Sequence, residues 1–556
     1  MKTLLAGFAL LVACVHLDAA TYYVRPDGGT PAQCNGLSDA PYTGDANCAW
    51  HHPFDALPPQ GDGGAPPIGL AGGDTLIIGL GSYDMGADAP GANAYPACNA
   101  NWPWDCFIAA VPSGTPDQPT RILGQGWDSG CPAAPELWGS EHASRVLSLD
   151  GSSNVVVSCL EITDHSACIE SHLGGSGPLA CNRSTPPYGP WASIGLYARD
   201  SSNVHLENLD IHGMANSGVL AGRLHDWSLN HVRIVANGWA GWDGDLGEAA
   251  GSSNSGQMLF ENLEIGWNGC SENYPDTAIV GCWGQQEGGY GDGLGTNVTS
   301  GDWRFVNAYF HHNTQDGLDL LYADTTATIS VEQSHAEGNA GNQMKLAGSP
   351  TVENSLIVGD CSYFAGVDFM SGTNAAGGSG TGDICRAMGN ALVLSVQPGL
   401  HARVQDDTIL GEGDCLILAI NGDQTSSVAI EHNALIGEPA WGKADQNPQP
   451  QSCLFYWDSG PSTWPVTYTG NLTYRVKDDF CPPGTGNICD VDPQSMSETL
   501  FFTASPLAGD AGNGSAKAAA GVAAIEERAN GPTFATKPML RTPPPRALLA
   551  EPPQTR

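Results

Sequence analysis

One segment recurs down the middle of the chain and limits the fold more than any other feature. It reads VHLENLDIHG (204–213), SLNHVRIVANG (228–238), LFENLEIGWNG (259–269), RFVNAYFHHN (304–313), SVEQSHAEGN (330–339), TVENSLIVGD (351–360) and VAIEHNALIG (428–437). Each copy alternates apolar and polar residues around a central polar residue, then ends on a turn. The central residues Asn208, His231, Asn262, Asn307, Gln333, Asn354 and Asn433 recur every two to five dozen residues. Spacings in the low twenties fit one coil of a solenoid, and longer ones fit coils carrying inserted loops. Short strands of this kind cannot bury their apolar side alone, but stacked coils share one continuous core. Composition agrees: 72 glycines and only 14% charged residues suit many short strands joined by turns, not long helices.

The pattern resembles the right-handed parallel β-helix family, over roughly residues 150–440. The expected fold is therefore all-β, a right-handed parallel β-helix spanning 21–514 with loop insertions. GGDTLIIGLGSY (72–83) would lie in its first coils and LFFTASPLAGDAGNG (500–514) in its last. The Ala- and Pro-rich 515–556 reads as a flexible tail. The first twenty residues, MKTLLAGFALLVACVHLDAA, read as an export signal, too short in its apolar run for a membrane span. Within it, LVAC resembles a lipobox that would lipidate Cys14; cleavage near Ala19–Ala20 is the alternative favoured here. Either way the protein is expected to be secreted or periplasmic, and a monomer. Of 17 cysteines, removal of Cys14 leaves an even number, which in an exported chain suggests disulfides. Near neighbours such as Cys34/Cys48, Cys98/Cys106, Cys270/Cys282 and Cys481/Cys489 could close loops, although connectivity cannot be read from sequence. None has the CxxC spacing of structural zinc.

Lysine and arginine total 21 against 59 acidic residues, a net charge of −38, which excludes a nucleic-acid partner. Lys345 is the only lysine between Lys2 and Lys443. A second strand follows each repeat: SGVLAG (217–222), DGLGT (292–296), DGLDL (316–320), NQMKL (342–346), AGVDF (365–369) and DCLIL (414–418). Period two sends Leu294, Thr296, Leu318, Leu320, Met344 and Leu346 inward. One outward column is then Asp292, Asp316, Asn342, and the other Gly295, Asp319, Lys345, Asp368. Coils stack about 4.8 Å apart, so Asp319 and Lys345 should be neighbours, with Asp316 and Asp292 one column over. Asp243 and Asp245 fall near the same face.

Carboxylates gathered this closely need a cation or a proton to relieve them, and oxygen ligands suit Ca²⁺. An isolated Asp-Gly is usually a turn, and Lys345 could serve only as an ion-pair partner for Asp319. His311, His312 and His335 lie close to this region; His311 and His312 read as solvent-exposed turn histidines that could instead line a groove. Trp239, Trp242, Trp267, Trp283 and Tyr290 could stack on sugars or simply pack.

NTQDGLDLLY, GNAGNQMKLAG and AGVDF resemble the core of the pectate lyases of polysaccharide lyase family 9, which are Ca²⁺-dependent parallel β-helix enzymes. The resemblance covers about 80 residues. It implies Ca²⁺ held by Asp292, Asp316 and Asp319, with Lys345 as catalytic base. Gln315 stands where that family has the first Asp of a pair, offering a carbonyl oxygen without a charge. The expected activity is cleavage of an acidic, uronate-containing polysaccharide by β-elimination. Two other classes stay open: a glycoside hydrolase using two of Asp243, Asp292, Asp316 and Asp319, and a non-catalytic surface protein that binds glycans or Ca²⁺.

Overall fold

The computed structural model describes residues 19–60, 67–99, 101–170, 179–283, 291–359, 370–371, 389–411, 415–437, 452–458 and 465–490. The expected export signal through residue 18, Cys14 with it, the coil at 500–514 and the tail at 515–556 lie outside these residues. Among the described residues no helix is long and apolar enough to cross a membrane.

The fold is all-β, a right-handed parallel β-helix. Ten strands form one parallel sheet in strict coil order: Ala143–Ser148, Ala192–Arg199, Ser217–Gly222, Ala240–Gly244, Leu294–Thr296, Leu318–Leu320, Met344–Ala347, Leu392–Ser395, Cys415–Ile420 and Cys453–Trp457. The remaining faces belong to a larger parallel sheet. There the early strands Ser153–Asp164, Ser202–His212, His225–Val235 and Ser255–Gly266 run unbroken around a corner. Later coils divide at the same corner, as in Asp302–Val306 and Tyr309–His311. The corner residue has positive φ in each of Asn208, His231, Asn262, Asn307, Gln333 and Asn354. A left-handed residue turns the strand sharply, and Asn and His tolerate it better than most side chains. The expected anchors are thus the corners, with one slip: in the last repeat His432, not Asn433, holds the positive φ.

Asn433 does different work. Its Nδ2 donates to Asn471 Oδ1 at 3.1 Å, and its own Oδ1 accepts from Asp407 N at 2.8 Å. A second buried ladder runs beside the ten-stranded sheet. Asn237, Asn268 and Asn313 donate Nδ2 to the Oδ1 of Asn268, Asn313 and Asn339 on the next coil at 3.0, 2.8 and 2.7 Å, and Asn339 Nδ2 ends the row on Gln343 Oε1 at 2.7 Å. Each of these amides pairs with the neighbouring coils, satisfying buried polar groups along the turns that enclose the core. Inside, Leu147, Leu196, Val219, Trp242, Leu294, Leu318, Met344, Leu392 and Ile417 stack in register and are fully buried. Each such side chain contributes about 1.5–3 kcal/mol.

Seven disulfides are present among the described residues. The four neighbouring pairs read from sequence are bonded, joined by Cys131–Cys159, Cys168–Cys181 and Cys415–Cys453.

Candidate active site

Strand register brings the predicted residues together. Asp243 pairs with Gly295, Gly295 with Asp319, and Asp319 with Lys345 along the outer face of the ten-stranded sheet. Met344 and Leu346, both buried, hold the strand so that Lys345 between them points outward. The repeated Asp-Gly has a packing reason. A Cβ on Gly317 would lie 2.5 Å from Gln343 O, and one on Gly293 would lie 2.4 Å from Gly317 O. The coils approach too closely for any side chain there.

The turn preceding each of these strands supplies a second row. Asp292 Oδ1 accepts from Asp316 N at 3.0 Å. Asp316 Oδ1 accepts from Asn342 N at 2.6 Å and from Asn342 Nδ2 at 3.0 Å. Asn342 Oδ1 in turn accepts from Asn390 N at 2.9 Å. Asp292 and Asp316 are each therefore fixed through one oxygen by the next coil's backbone, and both line the cleft. Asp316 Oδ2 accepts from Lys345 Nζ at 3.0 Å, and Asp319 Oδ2 also accepts from that Nζ. Asp319 Oδ1 is tied to Leu321 N at 2.9 Å.

One oxygen from each of Asp292, Asp316 and Asp319 lies within 4.8 Å of the others. All three residues are buried, and the Lys345 side chain is only 14% exposed. Burial pushes Asp292 well above the carboxylate range, and the charges of Asp316 and Asp319 push it further. Burial also raises Asp319, against the pull of Lys345. Burial draws Lys345 down, but Asp316, Asp319 and Asp292 together outweigh it and hold the ammonium above its ordinary value. Asp243, one coil before Gly295, is pushed up to about 6 by burial.

These groups open onto a cleft of about 500 Å³ bordered by Trp239 and Tyr322. Gln315 lines it and is 5% exposed, and its Oε1 has no hydrogen-bond partner. Three buried carboxylates with an orphaned neutral carbonyl oxygen beside them are a donor set suited to a hard divalent cation such as Ca²⁺. The residues therefore fit the ion that the sequence pattern implies.

Several expectations are corrected. Asp368 does not continue the column: Val393 pairs with Lys345 on the following coil. Asp368 itself lies outside the described residues, as does Tyr290. His311 and His312 are not solvent-exposed turn residues. They are 2% and 5% exposed; His311 Nε2 lies 3.3 Å from Glu264 Oε1, and His312 stacks on Trp267. His335 is also largely covered, with Nε2 3.5 Å from Glu337 Oε2. Trp242 is a fully buried core residue that also lines the cleft, as does Trp239.

Two features escaped sequence reasoning. Tyr322, 58% exposed, sits on the cleft rim three residues past Asp319, where a polar-aromatic residue after an alternating strand was the available signal. The loop bearing Asp245 is pinned by Glu248, which accepts from Arg199 and Arg223, both at 2.9 Å. No local spacing announces that contact.

No protein-family model matches the chain, and no curated protein sequence matches it. Solved structures do match it. An alginate lyase from a Paenibacillus species is 12% identical, with 75% of this chain and 96% of that chain covered and a TM-score of 0.35. The A-module of a mannuronan C-5 epimerase from Azotobacter vinelandii is 12% identical, with 75% and 89% covered and a TM-score of 0.41. Pectate lyase Pel9A is 12% identical, with 89% and 86% covered and a TM-score of 0.36. Likenesses at this level say nothing about reaction or substrate.

Proposed function

We propose that this chain is an exported polysaccharide lyase that cleaves a uronate-containing glycan by β-elimination, with Lys345 as base. One observation carries the reading: a lysine on an outer strand position is paired with two of three clustered, buried carboxylates in an open cleft. Lys345 Nζ would take the proton α to the uronate carboxylate. Its electron pair then forms the new carbon–carbon double bond as the bond to the 4-linked oxygen breaks. That oxygen leaves with its electrons and takes a proton from solvent water, giving a new chain end. Asp316 and Asp319 orient Nζ, and Asn342 and Leu321 fix those carboxylates through backbone and side-chain donors. Asp292, Asp316 and Asp319, with Gln315 Oε1, would hold the cation. Bound there, Ca²⁺ would neutralise the substrate carboxylate and offset the negative charge that keeps the proton on Lys345.

Lys345→Ala should lower formation of the ultraviolet-absorbing unsaturated product about 10²–10⁴-fold, the usual contribution of a positioned base, while the circular dichroism of the β-helix is unchanged. Full activity in that variant would remove Lys345 from the role.

A hydrolase is the second reading, favoured by one observation. Asp243, pushed up to about 6, shares the cleft with carboxylates one and two coils away, and an acid–base pair requires such separated environments. Cleavage products without a double bond, formed equally well in chelator, would establish it instead.

A further inference from the structure

Resting on the lyase reading, a second contact for the same acidic chain lies farther along the outer face. The ten-stranded sheet keeps its register from the first strand to the acidic cluster. Arg145 pairs with Ile194, Ile194 with Ser217, and Ser217 with Ala240. The next pairings, Trp242 with Leu294 and Leu294 with Leu318, set Ala240 level with Asp292 and Asp316. Arg145 therefore stands in the row of Asp292 and Asp316, five coils and about 24 Å before Asp316.

The protein itself leaves this guanidinium without an anion. Its Cζ lies 4.4 Å from the centroid of the Phe107 ring and 3.8 Å from that of Tyr197, so cation–π attraction holds it in place. Tyr197 shares the outward row of Asp243, Asp319 and Lys345, which sets Arg145 on the same face. In a chain of 59 acidic residues, Arg25, Arg199, Arg223, Arg233, Arg304 and Arg403 each hold a carboxylate. Arg145 holds none among the described residues, and its Nε is buried without a hydrogen-bond partner. Asp150 is near enough for its charge to act on Arg145, but Arg199 occupies both its oxygens, at 2.9 and 2.8 Å. Burial pulls Arg145 below its ordinary pKa, yet an arginine keeps its proton, so a partly exposed positive charge remains. Ile194, Leu220 and Asp243 keep the outer surface of the intervening coils partly exposed as well. A polyuronate laid along them meets like charge at Asp243 and Asp245, and opposite charge at Arg145, three coils beyond Asp243. The planar fork of a guanidinium matches the two oxygens of a carboxylate.

We infer that Arg145 is a distal subsite that binds a uronate carboxylate of the substrate chain, five coils from the uronate held at Asp292–Asp316–Asp319–Lys345. A sugar unit spans about one coil, so a trisaccharide at the cluster stops short of Arg145, whereas a polymer reaches it. The test compares polygalacturonate with trigalacturonate, at equal Ca²⁺, by ultraviolet absorbance. Arg145→Gln should raise KM for the polymer about tenfold, the loss of one charge-assisted contact, with kcat unchanged. Both constants for the trimer should stay as in the native protein, and Arg145→Lys, which keeps the charge, should recover part of the loss. An unchanged KM for the polymer, or an equal rise for the trimer, would overturn the inference. If neither substrate yields unsaturated product, the lyase reading fails for them, and affinity electrophoresis in polygalacturonate still decides the subsite. Retardation of the native protein that weakens in Arg145→Gln supports it; equal or absent retardation overturns it. Relief of the retardation by inorganic sulfate as readily as by trigalacturonate, at equal ionic strength, would mark a general anion site and overturn the uronate assignment.

Discussion

Gly295→Ala isolates the metal cluster from the fold. Gly295 stands in the outward column between Asp243 and Asp319, where a side chain would be expected to face the cleft. The structure uses its missing side chain: a Cβ built there lies 2.7 Å from Asp292 Oδ2, whereas ordinary contact begins at 3.4 Å. The carboxylate must retreat by about 0.7 Å, since 2.7 Å falls that far short of 3.4 Å. The obstructing atom is the end of a side chain, not backbone, so the strand has no reason to move. The backbone gains slightly, because alanine loses less conformational freedom than glycine on folding, an effect of about 0.4–1 kcal/mol. Ligand distances in a metal site are held to about 0.2 Å, so a shift of this size takes Asp292 out of range or twists its neighbours.

Displacing a group that orients a site typically costs about 10–100-fold in metal affinity, or about 1.4–2.7 kcal/mol. Calorimetric titration with Ca²⁺ should show that loss in Gly295→Ala, with a thermal midpoint in chelator equal to or above that of the native protein. Affinity within twofold of native would refute the argument that Asp292 depends on the empty space at Gly295. A native protein that binds no Ca²⁺ would refute the calcium reading itself.

Three further outcomes are expected. Lys345→Ala, melted in chelator, should lose about 3 kcal/mol because removing one partner of a buried ion pair leaves uncompensated charge; added Ca²⁺ should restore most of it, and a loss indifferent to Ca²⁺ would count against a shared site. Gln315→Asp should bind Ca²⁺ about tenfold more tightly in calorimetry, since a charged ligand replaces a neutral one, while melting earlier in chelator. Asp164, fully buried and pushed up to about 8 by burial despite hydrogen bonds from Ser166 and Ala192, is protonated in the fold below that pH. Its native form binds a proton that the unfolded chain releases near pH 4, so its stabilising contribution is complete below that pH and is lost as pH rises through about 8. Urea melts of Asp164→Asn across that range should be flatter than those of the native protein.

Much of the site was legible because one rule, period-two alternation carried from coil to coil, fixes which residues share a column. It placed Asp319 beside Lys345 and put Asp292 and Asp316 in the adjoining row. The same rule failed one coil later. AGVDF imitates an alternating strand, but the next coil is Leu392–Ser395, apolar on both faces, where alternation gives no sign. The histidines were misjudged because a polar residue near a turn reads as exposed, and only the packed neighbours Glu264 and Trp267 show otherwise. The Asn237–Asn268–Asn313–Asn339 ladder was hidden for the same reason. Gly295 entered the column with no side chain to interpret, and its purpose appears only when the oxygen occupying that space is seen.

The competing roles of Lys345 reconcile once its partners are considered as charge. Three buried carboxylates cannot all be ionised in a dry site without a positive neighbour, and in the isolated chain Lys345 is that neighbour. As a counter-ion it must keep its proton; as a base it must lack one. The two states differ only in what else neutralises Asp292, Asp316 and Asp319. On the proposed reading, the carboxylates that hold the proton on Lys345 are the same ones that bind the cation, so filling the site withdraws the interaction that disarms the base. Stability in chelator and activity in Ca²⁺ then become linked through one set of oxygens. A variant that keeps the lysine but removes the carboxylate partner, Asp319→Asn, separates them: it should weaken Ca²⁺ binding in calorimetry and lower product formation, while Lys345→Ala lowers product formation and leaves Ca²⁺ bound. Equal Ca²⁺ loss in both variants would show that the lysine acts only as scaffolding for the acidic cluster.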